Sequence, residues 1–420
     1  METEKLQNVF IVSSANGCLT NLMETTTLRK ALQTDHYQSC ETAEDSDVII
    51  VNTCGYNVEA ENTSMDVIQN YQAKYPGKKV VVTGCLPRIN GARLKKEFAG
   101  PIVSTGELEK LNTHFEKPLA KTDQLQQDSS ALNPADLATR LPSNQMAEKL
   151  SPFAHKLRVR FGLPGLKVLN ILDSMVFDQQ TFAVTVATGC LGKCTYCAIK
   201  KAKGGLVSRN LPDIVENVKR ALAQGYTRIH LLGDDVGCWG QDQGLTSAHL
   251  LSAIFRLPQD FQLIINYFDP TWLVRFYSDL QGPLSDPRLV CLNVPMQSGD
   301  DRVLKAMDRH YETAAALECV RDIRFRNPGL ALKTHIMVGY PGETHEQFQA
   351  SLKILSHFDL VYPNKYGPRP GTPAEKLPQL PELTKSFRFA LLKVGIQFVH
   401  LSVLVRSLFS GGSLERNVKA

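Results

Sequence analysis

ATGCLGKCTYCAIKKAKGG, residues 187–205, places Cys190, Cys194 and Cys197 within eight positions; these three cysteines are called the loop triplet below. Three thiolates this close can hold an iron–sulfur cluster, and a cubane of four irons then keeps one iron without a cysteine. Clustered thiolates also suit zinc, but a zinc site needs a fourth ligand, and the nearest histidine after Cys197 is His230. The spacing therefore indicates a cluster with one open position, with zinc as the alternative.

The loop triplet directly follows a strand candidate, TFAVTVAT, which opens a series of alternating strands and helices. The further strand candidates are TRIHLLG, FQLIINYF, RLVCLNVP, LALKTHIMV and DLVYPNKY. Helical patterns such as LPDIVENVKRALAQG and ETHEQFQASLKILSHF lie between them. About six β/α units predict an open or partial barrel, in which active sites form at the carboxyl ends of the strands. The loop triplet is therefore expected at the active end.

A second α/β region precedes this one. Its strand candidates are NVFIVSS (8–14), DVIIVNTC (47–54) and KKVVVTGC (78–85). Helical patterns follow each of them, which predicts a parallel sheet. Each strand ends at or near a cysteine: Cys18, Cys54 and Cys85, called the dispersed triplet below. Ligands collect at the carboxyl ends of parallel strands, so the three thiols either converge on one site or are small buried hydrophobes.

Composition sets the remaining limits. The chain has 420 residues, 43% hydrophobic and 21% charged, which suffices for roughly two or three domains with cores of their own. A formal net charge of +5 does not by itself identify a nucleic-acid binder. The start of the chain lacks the pattern of a signal peptide, so the ten cysteines are expected to be reduced and the protein to be cytoplasmic.

The chain is expected to divide into four segments. Residues 106–152 are polar and rich in Pro, Ser, Asn and Gln, and they are predicted to form a linker between a domain at 1–105 and one at 153–380. The tail, 381–420, carries the most apolar run, VGIQFVHLSVLVRSLF. His400 and Arg406 interrupt that run, so it indicates a packed helix or strand, and no membrane insertion is expected.

The loop triplet, with Tyr196 before its last cysteine, resembles the radical S-adenosylmethionine (SAM) enzymes. Further blocks resemble the methylthiotransferases among them. These blocks are ANGCLTN (15–21), NTCGYNVEAE (52–61), VVTGCLPR (81–88), LLGDDVGCWGQD (231–242), LNVPMQSGDDRVLKAMDRHY (292–311), HIMVGYPGET (335–344) and KYGPRPGTPAEKL (365–377). Several ordered blocks make a stronger signal than one motif. The resemblance implies a flavodoxin-like N-terminal domain followed by a partial (β/α)6 radical-SAM barrel.

The resemblance also implies two [4Fe–4S] clusters. The loop triplet would hold the cluster whose open iron chelates SAM, and cleavage of SAM yields the radical that abstracts hydrogen from an unactivated C–H bond. The dispersed triplet matches the ligands of the family's auxiliary cluster, which is associated with the transferred sulfur. Two SAM molecules would then be consumed, one as methyl donor and one as radical source.

Other residues receive softer assignments from the same blocks. The predicted SAM contacts are Tyr196, Gly233, Asp234, Asp235, Gln297, Ser298 and Gly339. Asp234 and Asp235 suit the SAM ammonium, with solvated loop acids as the alternative. Gly339 is expected to shape a turn beside the adenine. Cys238 is expected to be a spectator thiol.

Family members modify either a tRNA adenosine beside the anticodon or a protein aspartate. Two basic segments favour tRNA: HKLRVRFG (155–162) and the lysines that follow the loop triplet, of which Lys200 and Lys201 are predicted substrate contacts together with Arg369. For Arg369 the alternative is an exposed structural arginine. A ribosomal protein or peptide is the alternative substrate, and a non-catalytic iron–sulfur protein the alternative function. An electron donor such as flavodoxin or ferredoxin is an expected partner, and the family's C-terminal β-barrel is expected to be missing or truncated.

Overall fold

The computed structural model describes residues 6–14, 18–34, 36–117, 130–131 and 180–410. Most of the predicted linker, the basic stretch at 155–162 and the end of the tail lie outside these residues. Two parallel sheets dominate the described part of the chain. Among its helices, none is both long enough and apolar enough to cross a membrane.

The first sheet has four parallel strands in the order β2-β1-β3-β4. They are β1 (Gln7–Ser13), β2 (Tyr37–Cys40), β3 (Val48–Thr53) and β4 (Lys79–Gly84), and the helices are α1 (Leu19–Ala31), α2 (Val58–Lys74) and α3 (Leu86–Glu97). Alternate residues of β3 enter different cores, Ile50 beside α1 and Ile49 beside α2 and α3. Helices therefore cover both faces, which confirms the predicted flavodoxin-like arrangement.

Strand β2 was not predicted. Its sequence, YQSC, lacks the β-branched run that marks the other three strands. It lies at the edge of the sheet, where it forms hydrogen bonds with one neighbouring strand, β1.

The second sheet has seven strands in the order β13-β12-β11-β10-β9-β6-β5. Six of them are parallel and match the predicted series: β6 (Thr181–Thr185), β9 (Arg228–Leu232), β10 (Gln262–Ile265), β11 (Leu289–Asn293), β12 (Ala331–Val338) and β13 (Leu360–Lys365). The short β5 (Ser130–Ala131) pairs antiparallel with β6. The partial six-stranded barrel is thus confirmed, with an edge strand contributed by the predicted linker. Two further short strands, β7 (Ala187–Thr188) and β8 (Val207–Ser208), pair antiparallel on either side of the loop triplet.

Helices cover the outer face of this sheet. They are α5 (Leu211–Ala223), α6 (Ser247–Phe255), α7 (Pro270–Arg275), α8 (Tyr277–Leu284), α9 (Asp301–Ala306), α10 (Thr313–Arg326), α11 (His345–Lys353) and α12 (Glu382–Ser410). A further short helix, α4 (Ile199–Lys203), follows the loop triplet. Leu332 and Ile336 of β12 pack in the same core as Val320 of α10 and Phe348 of α11. The apolar run of the tail lies in α12, whose Leu392 also enters this core. That run is therefore helical, as one of the two predictions had it, and Ile396 packs in the core whereas Val394, Phe398 and Leu401 are exposed.

The two units of the chain, each built on one of the two sheets, meet through small apolar side chains. Cys85 and Ile89 of the α3 region pack against Ala198 and Ala202 around α4. A second contact places Leu22 and Met23 of α1 against Ala183 of β6 and Leu232 of β9. Helix α1 thereby lies against the inner side of the barrel sheet, at the edge where β6 and β9 run.

Polar contacts at this junction involve three residues that were assigned to substrate or phosphate. Arg369 is buried rather than exposed, and it donates to the Gly55 carbonyl at 2.8 Å and pairs with the buried Glu61. Lys203 is largely buried, with its Nζ 3.8 Å from Glu24. These two side chains hold the units together, because charge in a sequence does not reveal whether the fold buries it. Lys201 is exposed and donates to the Ile89 carbonyl at 3.2 Å and the Pro370 carbonyl at 2.8 Å, and its contact with substrate stays a prediction.

Arg369→Ala should destabilise this junction. The substitution leaves the Glu61 carboxylate buried with one cation fewer, and we expect a loss of about 3 kcal/mol in the free energy of unfolding. Urea unfolding followed by circular dichroism measures the change as a lower midpoint. Arg326→Ala is the matched control, because its pair with Asp322 is exposed and one turn apart on α10, and it should not shift the midpoint. Equal midpoints for both variants would contradict the structural role of Arg369.

Candidate active site

The loop triplet follows a sharp backbone turn. Gly189 has φ of +73°, and a Cβ at this position would lie 2.0 Å from the Gly205 carbonyl oxygen. Only glycine permits both the left-handed conformation and this close approach. The turn brings the two ends of the loop together directly before Cys190.

The thiols of the loop converge. Gly192 lies between two of them, because a Cβ there would be 3.3 Å from the Cys190 Sγ and 3.7 Å from the Cys194 Sγ. Burial and the neighbouring Cys194 raise the pKa of Cys197 to about 12. Two sulfurs beside Gly192 and a third on the same short loop fit an iron–sulfur cluster held at three corners.

A buried arginine adjoins the loop triplet. Arg309 places one nitrogen 3.7 Å from the Cys194 Sγ and donates from it to the Tyr196 hydroxyl at 3.1 Å. Its other terminal nitrogen pairs with Asp269 at 2.9 Å and donates to the Pro295 carbonyl. Sequence reasoning missed Arg309 and Asp269, which lie far from the cysteines in the chain. A fixed cation beside Cys194 favours the thiolate that ligates iron.

The loop after β9 faces the loop triplet. Gly233 is buried, and Asp234 accepts a hydrogen bond from the Gly189 amide at 2.8 Å. Asp235 is buried and accepts from the Asp269 amide at 3.0 Å and the Trp272 indole at 2.8 Å. Burial and the neighbouring Asp269 raise the pKa of Asp235 to about 7. Asp235 is therefore not a solvated loop acid, whereas Asp234 is half-buried, and the contact of either with SAM stays a prediction.

The dispersed triplet also converges. Cys54 and Cys85 directly follow β3 and β4, and Cys18 precedes α1. A hydrogen bond from the Cys54 thiol lowers the pKa of Cys18 to about 7, and burial raises the pKa of Cys85 to about 12. The spacing of these cysteines left open whether they converge on one site or are separate buried hydrophobes. In the structure all three lie at one edge of the first sheet.

A polar network supports this edge. Ser64 accepts from the Cys54 amide at 3.0 Å and donates to the Cys54 carbonyl at 2.8 Å. Asn21 and Asn52 bond side chain to side chain at 2.9 Å beneath Cys18 and Cys54. Since these groups are buried and mutually satisfied, they fix the positions of two of the thiols.

The two triplets lie close to each other. Cys85 of the dispersed triplet packs against Ala198, which directly follows Cys197 of the loop triplet. Lys203, at the end of the short helix α4, lies with its Nζ 3.8 Å from Glu24 of α1. Burial opposes the charge of Lys203, but Glu24, Cys85 and Asp234 raise its pKa. A cation thus lies beside the dispersed triplet at this junction.

Comparison with known proteins agrees with this arrangement. Residues 10–104 match a family described as uncharacterized protein family UPF0004, and residues 184–355 match the radical SAM superfamily. A protein of Pyrococcus horikoshii named probable threonylcarbamoyladenosine tRNA methylthiotransferase is 30% identical over 384 residues, which cover 90% of this chain and 81% of that protein. This chain belongs to the radical SAM methylthiotransferase family.

Further relatives extend the comparison. A protein of Sulfurihydrogenibium sp. named tRNA-2-methylthio-N(6)-dimethylallyladenosine synthase is 28% identical over 372 residues. The match covers 86% of this methylthiotransferase and 77% of that protein. The radical SAM methyltransferase TsrM of Kitasatospora setae has the same fold, with a TM-score of 0.56 at 15% identity over 88% of this chain and 77% of TsrM. The chain is therefore an enzyme, and its membership implies SAM and a [4Fe–4S] cluster as cofactors.

Three predicted SAM contacts of this methylthiotransferase lie beside β12. Gln297 has φ of +65°, and its backbone bonds to His335 and Met337 on β12. Ser298 is fully buried and its hydroxyl lies 3.3 Å from that of Ser351, so it supports α11 and does not face the loop triplet. Gly339 forms the predicted turn, with φ of +81°.

Cys238 is not remote from the site. It is buried, its thiol donates to the Asp235 carbonyl at 3.2 Å, and the ligand atoms of Cys190, Asp235 and Cys238 lie within 4.8 Å of one another. The short helical turn after Asp235 brings Cys238 toward Cys190, and its role as a spectator thiol stays a prediction.

Sequence reasoning also missed four aromatic rings near the dispersed triplet, which we call the aromatic cleft: Tyr56, Tyr267, His335 and Tyr362. His335 stacks on Tyr362 with ring centroids 4.9 Å apart, and Tyr267 lies 5.8 Å from His335. Burial, Cys54 and Cys18 raise the pKa of Tyr56 to about 12. Burial, followed by Lys333, lowers the pKa of His335 to about 4. The cleft is therefore uncharged at neutral pH.

The depressed pKa of His335 should make stability depend on pH. Its folded value of about 4 lies below the ordinary 6.5, so the unfolded chain binds more protons between these values. Stability contributed by neutral His335 is present above pH 6.5 and is lost as the pH falls through 4. We expect wild-type protein to lose about 2 kcal/mol more than His335→Gln between pH 7 and pH 5 in urea unfolding. Parallel losses in both proteins would contradict this assignment.

Proposed function

We propose that this enzyme replaces a C–H hydrogen of a modified adenosine in tRNA, at C2 of a base near the anticodon, with a methylthio group. The observation that carries the proposal is the approach of the two cysteine triplets at one junction, where Cys85 packs against Ala198, directly after Cys197. A hydrogen-abstracting centre and a sulfur-bearing centre have to reach the same substrate carbon. Two sites at one junction meet that requirement, whereas a single triplet would not.

The chain's own residues receive the following roles. The loop triplet holds the cluster that works with SAM, and the dispersed triplet holds a second [4Fe–4S] cluster. When bound, the first cluster and SAM supply the hydrogen-abstracting radical, and the second supplies sulfur. Arg309 stabilises the Cys194 thiolate, and Asp234 orients the turn at Gly189 that precedes the loop triplet. The packed contact of α3 with α4 holds Cys85 beside Ala198 and so keeps the two triplets close together.

Three observations support tRNA as the substrate. The relatives described above carry names of tRNA methylthiotransferases that act on threonylcarbamoyl- or dimethylallyl-adenosine. Lys193 is exposed within the loop triplet's loop, and Lys200, also exposed, donates to the Gly192 carbonyl at 3.1 Å. Such cations can neutralise phosphates at the mouth of the site. An external one-electron donor of flavodoxin or ferredoxin type completes the proposal.

Serine variants of the two triplets separate the two roles. Wild-type protein reconstituted without oxygen should contain about eight iron atoms per chain, four in each cluster. Cys54→Ser should retain about half of the iron and still form 5′-deoxyadenosine from SAM and a reductant, but should give no methylthio product. Cys194→Ser should retain a similar amount of iron but form no 5′-deoxyadenosine. Iron analysis, chromatography and mass spectrometry of tRNA nucleosides measure the three quantities.

Cys319→Ser is the matched control, because Cys319 is buried on α10 in the core behind the barrel. It should behave as wild type in all three measurements. About four iron atoms in the wild-type chain would contradict the second cluster. A methylthio mass gain found on a peptide and absent from tRNA would contradict the proposed substrate.

A further inference from the structure

The inner faces of β11, β12 and β13 carry polar and aromatic side chains where a barrel core is usually aliphatic. In parallel register Tyr362 stands beside His335, and Asn364 beside Met337, on neighbouring strands. The residues that alternate with them, Leu292, Ile336 and Val361, point outward into the apolar core. The outward half of each strand therefore serves folding, whereas the inward half is free to meet a ligand.

The aromatic cleft offers ring faces for stacking. His335 and Tyr362 are stacked with an interplanar angle of 28°, and Tyr267 flanks His335 at 46°. Tyr267 remains 38% exposed and Tyr56 47% exposed, although both lie beside buried elements. Exposed rings in a cleft are typical of sites that take a flat, unstacked base out of an RNA strand.

Two amides hold the imidazole in the cleft. Asn293 places its Nδ2 3.1 Å from the His335 Nε2, and Asn364 places its Nδ2 3.4 Å from the His335 Nδ1. A neutral imidazole accepts at one nitrogen only. The shorter contact assigns that role to Nε2, which accepts from Asn293, and Asn364 then turns its oxygen to the Nδ1–H. The ring is thus fixed from both edges, which preorganises its face.

Asn293 also has a side-chain oxygen that is available to a ligand. Its side chain is only 5% exposed, and its Oδ1 is buried with no hydrogen-bond partner among the described residues. A buried oxygen without a hydrogen bond costs free energy, and a hydrogen-bond donor on a bound ligand would remove that cost. An exocyclic amine or a ring N–H on the edge of a base is a donor of this kind.

The cleft adjoins both cysteine triplets. Burial and the nearby Cys18 and Tyr56 raise the pKa of Tyr267, so its ring lies on the side of the dispersed triplet. The Tyr267 carbonyl accepts from the Val236 amide at 2.8 Å, in the loop that faces Cys190. A base held in the cleft is therefore close to the space between the triplets.

We propose that the aromatic cleft, with Asn293, binds the purine ring that this enzyme modifies, by stacking on His335 and Tyr362 and by hydrogen bonding to Asn293. The inference rests on the proposed function and adds the residues that position the substrate. These are positioning residues, because the reacting groups belong to SAM and the clusters. A flat base uses the stacked rings, whereas the carboxylate side chain of a peptide has no aromatic face to match them.

An anticodon stem-loop RNA with 2-aminopurine in place of the modified adenosine tests this site, because stacking on an aromatic ring quenches 2-aminopurine fluorescence. The reconstituted full-length enzyme should quench the probe on binding. Tyr362→Phe keeps the ring and should quench as wild type. Tyr362→Leu and His335→Leu should lose the quench and bind the RNA about five- to 150-fold more weakly.

Folding is followed separately from binding. Both leucine variants should keep the wild-type iron content and the wild-type circular dichroism spectrum, which shows that they fold and hold their clusters. Phe325→Leu is the control for loss of an aromatic ring, since Phe325 is 84% exposed on α10 and outside the site. It should quench and bind as wild type.

The outcomes distinguish the two proposals. The base site alone is overturned if the wild-type enzyme methylthiolates the natural stem-loop and the leucine variants quench the probe as fully as wild type. Wild-type enzyme that binds no stem-loop and instead adds a methylthio group to a peptide overturns the proposed function, and the base site with it. Loss of the quench in the leucine variants and its retention in Tyr362→Phe supports both.

Discussion

The packing of α3 against α4 is the contact on which the site depends. Cys85 belongs to this contact itself, together with Ala198 and Ala202, so the same side chains that join the two units also position a predicted ligand. The alanines permit a close approach that larger side chains would prevent. Because α4 begins directly after the loop triplet, any sliding of the helices would move one triplet relative to the other. The geometry between the two triplets is therefore a property of core packing rather than of a mobile loop.

Burial at this junction makes charge balance important. Lys203 and Glu24 lie close together in a region that also contains Asp234 and the thiols of Cys18 and Cys85. An isolated charge would be costly there, and the fold supplies opposite charges within reach. Thiolate ligands add negative charge, so the buried cations Lys203 and Arg309 are suited to the state in which the thiols are ionised. The same residues explain why lysines beside the loop triplet are only in part free to meet a nucleic acid.

The sequence allowed the main strands to be predicted, because runs such as VIIVNT and KVVVTG are β-branched and bounded by turns. The loop triplet could be recognised from spacing, since its thiols are local. The dispersed triplet needed the family resemblance, because no spacing rule links residues on three strands. Arg369 and Lys201 were assigned to substrate from charge alone, and their burial or pairing depends on contacts with distant segments. Tyr267, His335 and Tyr362 escaped notice for the same reason, since each looks ordinary within its own strand.

Strand alternation explains how such a cleft can exist without weakening the fold. In β12 the outward residues Leu332 and Ile336 pack against helices, and their burial stabilises the barrel whatever the inward residues are. The inward position 335 can therefore vary with the substrate while the core is unchanged. His335 is an exception in one respect, because burying an imidazole favours its neutral form and so ties stability to pH. The imidazole has to stay neutral in order to accept from Asn293 and to stack on a base. Burial keeps it neutral, and the same burial lowers the stability of the fold in acid.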